Sequence, residues 1–407
     1  MSVDRRRMRK ISDIVDPALD SMKILHLFSN WKWTGPADPT LNLCKGLEKR
    51  GHDVTFAYRK PPMPLEDSIE KRVLQSGVKA TDRFRLDHSV KVYHPSFLMT
   101  HLRDILDLTR FLREGKFDIL NVHHAHGHLL GGIAARRSDH PVIVIRSDHK
   151  RDPLKPSVGN RFLISQLTDG MITFSERARK EDSEHFGLPP ERVTKISPAL
   201  DLDRYDRRMK FKEMKTVFGI EPGEIVIGMI ARFQKYRRTA VFLEAVKTIV
   251  KEFPNVRILL VGRSGQIEQS VIQPMKQLGV EKWIVLGGYQ TENYLATLAC
   301  MDIFVFLMAG SDGTARALRE AMAMGKPVIV ANRGMLPELV EDGISGLVVN
   351  DTADELARAT LRLLRRPALR EALGEAAYQK AHQNFQLDRQ AEAVESFYQA
   401  MMKLGPR

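Results

Sequence analysis

Gly310-Ser311-Asp312-Gly313-Thr314-Ala315-Arg316-Ala317-Leu318-Arg319-Glu320-Ala321-Met322-Ala323-Met324-Gly325-Lys326-Pro327-Val328-Ile329-Val330-Ala331 sets an acid in a glycine loop, a second acid eight residues on, a Gly-Lys-Pro stop and an apolar run. The order reads as loop, helix and buried strand, with Gly325 and Pro327 ending the helix. At about 3.6 residues per turn, positions eight apart nearly eclipse, so Asp312 at the helix mouth and Glu320 two turns in share one crevice. Two carboxylates so placed accept hydrogen bonds from the hydroxyls of a single polyol such as a sugar or ribose. The competing reading leaves Glu320 on a solvated helix face.

Apolar strand-like runs recur on both sides of this stretch. Glu224–Ile230, Val256–Gly262, Trp283–Gly287, Ile303–Phe306, Pro327–Val330 and Gly346–Val349 form one series. An earlier series consists of Met22–Phe28, Asp53–Tyr58, Phe117–Val122, Pro141–Ile145, Gly170–Phe174 and Val193–Ile196. Helical stretches separate the runs, beginning with Thr40–Arg50, which Gly51-His52 ends. Leu98, Leu102, Ile105, Leu106, Phe111 and Leu112 form a stripe at helical spacing, which is expected to face the core. Such alternation makes a doubly wound parallel sheet. The series breaks at Ser197–Asp203, so 407 residues divide into two α/β domains, in keeping with ordinary domain size. Ligands of open parallel sheets bind beyond the carboxyl ends of the strands, so two such domains share an inter-domain cleft.

Composition narrows the partners. The formal net charge is +13, with basic clusters at Arg5–Lys10, Arg207–Lys210 and Lys235–Arg238. No nucleic-acid module accompanies them, so an anionic lipid surface or a phosphate-bearing substrate fits better than nucleic acid. No apolar run approaches the ~20 residues that cross a bilayer, and the charged start lacks a signal-peptide segment. The expected location is cytoplasmic, with a peripheral position at the inner face of the membrane. Cys44 and Cys300 stand far apart, which indicates neither a disulfide framework nor a zinc site.

Candidate site residues follow the strands. Arg232 and Arg237 succeed the run ending at Ile230 and place two cations just beyond a strand's end. Gly262 and Gly265 close another strand and allow close backbone approach to phosphate. Gly288 lies in Leu286-Gly287-Gly288-Tyr289. In Asn121–His128, alternate residues of an extended segment share a face, so His124, His126 and His128 can converge, although no acid or thiol completes a metal set. Trp31–Asp38 holds Gly35 between tryptophans and Pro36, which suggests an acceptor with an apolar or sugar-ring face. Asp201-Leu202-Asp203 satisfies a metal-binding pattern, but lies in the hinge.

The stretch 310–331 resembles the Glu-seven residues-Glu signature of the family-4 retaining glycosyltransferases, with Asp312 in the first acidic position. Ala231–Arg238 resembles the family's Gly-Arg…Lys segment, Arg237 standing where the Lys is usual. His123–His128 resembles its His-(any)-His segment. Leu286–Tyr289, Asn332–Glu338, Glu341–Gly346 and Ser175-Glu176 resemble further family turns, the last three mainly scaffold. The resemblance runs from about Met22 to the C-terminus and departs at the Gly35 loop and at Gly313-Thr314-Ala315. It implies a GT-B fold with two Rossmann-like domains. The implied divisions are a basic tail at 1–21, an acceptor domain at 22–200, a nucleotide-sugar domain at 201–385, and a terminal helix at 386–407 crossing back to the first domain. It implies transfer of a hexose-like sugar, with retention, from a nucleotide diphosphate to a cell-envelope lipid or lipid-linked saccharide, without metal or other cofactor. Arg232 and Arg237 would stabilise the leaving diphosphate. His126, or else His124, would contact the transferred sugar. Asp312, Gly313, Glu320, Gly262, Gly265, Gly288 and Gly35 would hold the donor, Glu320 by its ribose. An epimerase or hydrolase on the same architecture, or a sugar-nucleotide-binding scaffold without turnover, shares these features.

Overall fold

The structure, a computed structural model, describes residues 21–63, 68–86, 97–207, 209, 211–309 and 315–407. Asp312 and Gly313, together with the basic tail Arg5–Lys10, lie outside the described residues. The first sheet contains β1 (Lys23–Phe28), β2 (Asp53–Tyr58), β3 (Ala80–Thr81), β4 (Ile119–Val122), β5 (Ile143–Ser147), β6 (Gly170–Thr173) and β7 (Val193–Lys195). Its order is β3-β2-β1-β4-β5-β6-β7. The second contains β8 (Ile225–Ile230), β9 (Val256–Val261), β10 (Ile284–Gly288), β11 (Ile303–Phe306), β12 (Val328–Ala331) and β13 (Leu347–Val349), in the order β10-β9-β8-β11-β12-β13. The pairings are parallel. Strands such as Lys23–Phe28 are buried at nearly every position because helices cover both faces. In both sheets the order reverses beside the first strand, between β1 and β4 and between β8 and β11, and these two switch points mark where ligands bind.

Several boundaries differ from the sequence reading. The first helix starts at Ala37 and not at Thr40, taking Pro39 into its first turn, where a missing N–H costs no intrahelical bond. The Pro61–Val90 region holds a helix, Ile69–Ser76, and the two-residue edge strand β3, too short to show a period. On the helix Phe97–Gly115 the expected apolar stripe is displaced: Leu102 and Leu106 are exposed, whereas His101, Asp104, Ile105, Leu108 and Leu112 are buried. Polar residues occupy that inner face because the Asp104 carboxylate accepts the amides of Arg85 at 3.1 Å and Leu86 at 2.9 Å, anchoring the incoming chain. No helix of the described residues is long and apolar enough to cross a membrane.

The C-terminal helices join the two halves. Pro367–Asn384 lies against Arg316–Ala323, and Leu387–Leu404 lies on Ala37–Lys49 of the first half. A methyl group at Gly46 would sit 2.9 Å from the Cβ of Ala391, so the last two helices named meet at nearly backbone distance. Glu395, buried on the final helix, pairs with Arg50 and contacts His52 at 3.1 Å; Asn121 of β4 donates to Tyr398. Further ties cross between the halves. The Glu338 carboxylate accepts the backbone N–H of Glu176 at 2.8 Å and pairs with Lys195 at 3.1 Å, so an anion from the second half caps the N-terminus of the first-half helix Glu176–Phe186. The two turns read as scaffold, Ser175-Glu176 and Pro337-Glu338, thus meet each other.

Removing the Glu395 carboxylate leaves His52 and Arg50 without their anion beneath the final helix. Glu395→Ala is expected to destabilise the protein by about 2–4 kcal/mol, somewhat below the ~3–5 kcal/mol scale for breaking a fully buried ion pair because Arg50 keeps partial access to solvent. A urea unfolding midpoint equal to that of the wild type would contradict this.

Candidate active site

The carboxyl edges of the two sheets border a common cavity of about 680 Å³. Each part of its lining follows a strand. Asn30, Thr34, Gly35 and Pro36 come after β1; His123, His124 and Ala125 after β4; Arg146 is next to last in β5, with Asp148, His149 and Lys150 beyond it. Arg232, Gln234, Tyr236 and Arg237 come after β8 and form the facing wall. A smaller adjoining cavity of about 190 Å³ is lined by Ile230, Ala231, Arg232, Val261, Gly262, Arg263, Tyr289, Gln290 and Tyr294. Arg232 borders both.

The turn after β8 holds the two arginines by different means. Arg237 closes a short 3-10 turn, Lys235–Arg237, and its guanidinium donates to the Met308 carbonyl at 2.8 Å. Met308 lies just past β11, so Arg237 is fixed across the second switch point. Its neighbour Arg238 turns away to pair with Asp351 at 2.7 Å and opens the helix Thr239–Glu252. Tyr236, which sequence reading passed over, stands between Arg237 and Arg151 of the first half, each guanidinium 5.6 Å from its ring centre.

The floor of the smaller cavity is backbone. Gly262 has φ +145°, its N–H donates to the Gly288 carbonyl at 2.8 Å, and a Cβ there would lie 1.8 Å from the Ala231 carbonyl oxygen. Only glycine permits this approach of the β8 and β9 ends. Gly288 also has positive φ, at +64°, while Gly265 is exposed in the following loop, outside the lining of either cavity. Arg263 lies 4.3 Å over the Tyr289 ring at the cavity edge.

Glu320 is 1% exposed and does not itself line either cavity. Its carboxylate accepts from Tyr205 at 2.8 Å, from Tyr294, and from Arg316 at 2.7 Å. Tyr294 lines the smaller cavity, so Glu320 reaches that cavity through the phenol. Burial and the Glu320 charge push both phenols above their ordinary range. Glu320 in turn raises Arg316, helped by Asp38, which lies 3.6 Å away on the first helix of the other half.

The histidines correct an expectation. The chain turns helical at Ala125, so residues two apart diverge by about 200° instead of sharing a face. His124 lines the large cavity and stands edge-on to Phe28 at 4.4 Å. His126 stands edge-on to His101 at 4.9 Å, outside the cavity lining. His128 is buried, in contact with the Thr168 hydroxyl at 2.9 Å. The three do not converge. A different set does: His26, His123 and His149 form a buried chain, with ring nitrogens 3.0 Å and 2.9 Å apart. Burial pushes His26 down to about 3 and lowers His123 and His149 as well, with neighbouring imidazoles and Arg146 adding to the effect on both. All three are therefore neutral, and each contact pairs a donor with an acceptor, so their tautomers are coupled. The signal was present in the strand order, which places β4 between β1 and β5. Among the described residues no group of three or more His, Cys, Asp or Glu is arranged to hold a metal ion. Asp201 precedes, and Asp203 lies within, the short 3-10 turn Leu202–Tyr205 in the linker.

Residues 38–204 match Glycosyltransferase Family 4, and residues 210–380 match Glycosyl transferases group 1. The chain belongs to the family-4 glycosyltransferases. This glycosyltransferase is 24% identical over 370 residues to the N-acetyl-alpha-D-glucosaminyl L-malate synthase of Bacillus anthracis, a match spanning 89% of this chain and 92% of that protein. It is 26% identical over 258 residues to the D-inositol 3-phosphate glycosyltransferase of Segniliparus rotundus, spanning 62% of this chain and 57% of the relative. The Anabaena protein Alr3699/HepE, solved in complex with UDP, superposes with a TM-score of 0.75 at 19% identity, covering 92% of this chain and 99% of the other. The fold is GT-B.

Two outcomes follow from the site. His26 and His128 titrate near 3 when folded and near 6.5 when unfolded. Between those values the unfolded chain binds more protons, so stability is lost as pH falls below 6.5, by about 1.4 kcal/mol per pH unit for each histidine. His128→Gln is expected to flatten the slope of unfolding free energy between pH 6.5 and 5 by about one proton, as read by urea titrations at each pH. Gly262→Ala is expected to destabilise the protein by about 1–3 kcal/mol, because the added methyl drives the β8 turn out of place and the backbone there has positive φ; a urea unfolding midpoint equal to wild type would refute the role of this contact.

Proposed function

We propose that the enzyme transfers a hexose-like sugar from a nucleoside diphosphate to an acceptor hydroxyl with retention of anomeric configuration and without a metal. The observation that carries this is the two-walled cavity. Arg232 and Arg237 form a cationic wall at one strand edge, and the neutral histidines His123 and His149, with His124, form the wall opposite. The smaller cavity, with Gly262, Tyr289 and Tyr294, suits the nucleoside, and the diphosphate then spans Gly262 to Arg232 and Arg237. The solved complex of a protein of the same fold with UDP supports a uridine donor.

In this reading the departing diphosphate gains negative charge as the glycosidic bond breaks. Arg232 and Arg237, fixed before the reaction, stabilise that charge more than the ground state. The Met308 carbonyl holds one edge of Arg237 so that little reorganisation is needed. His124, which lines the cavity where His126 does not, serves the transferred sugar, and the diphosphate oxygen takes the proton of the incoming hydroxyl from the same face. Residues 22–200 act as the acceptor domain and 201–385 as the donor domain. The acceptor is a cell-envelope lipid or lipid-linked saccharide met at the inner face of the cytoplasmic membrane; the net charge of +13 and the exposed Leu102 and Leu106 support a membrane encounter.

Arg232→Ala and Arg237→Ala are each expected to lower kcat by about 100-fold or more, the scale for losing one pre-positioned donor to a developing anion. Release of UDP from UDP-sugars, with and without acceptor mixtures, measures this, and the proton coupling of the product's anomeric centre reports its configuration. Rates unchanged by EDTA are expected. Equal donor breakdown without acceptor would favour a hydrolase, a rearranged donor an epimerase, and no donor consumption a binding scaffold.

A further inference from the structure

Arg146, next to last in β5, is placed in a manner that neither the fold nor the donor explains. Its side chain is 4% exposed, and one terminal nitrogen donates to the Asp148 carboxylate at 3.0 Å. The Nε and the other terminal nitrogen have no hydrogen-bond partner in the protein, although the residue borders the large cavity. Asp148, which it pairs, is itself 4% exposed and lines the same cavity, so one carboxylate is already spent on one donor of the fork. Lys150, exposed at the cavity rim, adds a further cation on the same wall. Arg232 and Arg237 occupy the wall that follows β8, so the donor's diphosphate is provided for without Arg146.

We propose that Arg146, with Lys150, binds an anionic group of the acceptor, a carboxylate or a phosphate close to the hydroxyl that receives the sugar. The proposal rests on the glycosyltransferase reading of the cavity and specifies its acceptor side. A guanidinium with unmet donors on two of its edges calls for more than one acceptor oxygen, which a carboxylate or phosphate brings and a single hydroxyl does not. Burial sharpens the choice, because an acceptor without the acid leaves those donors unpaired once it displaces cavity water. Asp148 holds the fork in place and keeps the empty site from carrying a bare charge. The neutral His149 beside it adds no competing charge. Arg146 is thus a specificity-determining residue, acting on which acceptor is taken and not on the breaking bond.

The full-length protein is first saturated with UDP, which fills the opposite wall, and is then titrated with inorganic phosphate or with malonate at constant ionic strength while the melting temperature is followed. The expected result is a saturable rise with at least one anion. Arg146→Met abolishes that rise and Arg146→Lys raises its midpoint tenfold or more, with the UDP midpoint unchanged in both. Preference for phosphate over malonate identifies a phosphorylated acceptor, and the reverse a carboxylate. The proposal is overturned if neither anion shifts the UDP-saturated wild type, or if Arg146→Met titrates as wild type does. Should Arg146→Met fail to fold, an undiminished anion response in Arg146→Lys overturns it equally. Failure of the transferase reading would show separately, as a wild type that UDP does not stabilise, and the anion titration of the UDP-free protein then still decides the role of Arg146.

Discussion

A parallel sheet puts the carboxyl ends of all its strands on one edge, and a sheet that reverses order beside its first strand leaves a gap at that edge. Both sheets here obey the same order, and their edges face each other. Everything in the large cavity follows from that constraint: Gly35, His124, Arg146, Arg232 and Arg237 are far apart in the chain, yet each is within a few residues of a strand's end. The helices that cover the faces supply burial, and the loops at the edges supply chemistry. The final helix closes the arrangement by fastening to Arg50, His52 and Asn121 in the first half.

The two walls are built differently. The second half collects the cations Arg232 and Arg237 beside a floor of backbone at Gly262. The first half buries His26, His123 and His149 in contact with one another, which keeps those three imidazoles neutral and leaves Arg146, Asp148 and Lys150 as the charged side chains it presents to the cavity. Glu320 sits behind Tyr294, where two phenols and a guanidinium satisfy it. A buried carboxylate so compensated serves as a rigid base for Tyr294, and Tyr294 presents that order to the smaller cavity.

Much of this was legible in the chain. Strands such as Lys23–Phe28 and Val256–Val261 are mostly apolar, and their number and spacing marked out the two parallel sheets, while Ala231–Arg238 placed Arg232 and Arg237 at a strand's end, where both line the large cavity. What escaped had physical reasons. The His124, His126 and His128 reading assumed extended backbone, and Gly127 gave no warning that a helix had already begun at Ala125. The true histidine chain joins residues 97 and 26 positions apart, which only the strand order brings together. The inner face of Phe97–Gly115 carries His101 and Asp104 because they meet partners across the fold, and hydrophobic periodicity is blind to such partners. Tyr236 had no local pattern to mark it; its importance lies in the arginine it meets from the other half.

Glu338 deserves a last mechanical thought. Its carboxylate belongs to one half and its partners, the Glu176 amide and Lys195, to the other, while Asp38 and Arg316 form a second such pair. Any swing that widens the mouth between the halves must pull these opposite charges apart through water. The resting posture is therefore spring-loaded by electrostatics instead of by apolar adhesion alone, and its stiffness varies with dissolved ions, relaxing as the Debye length shortens.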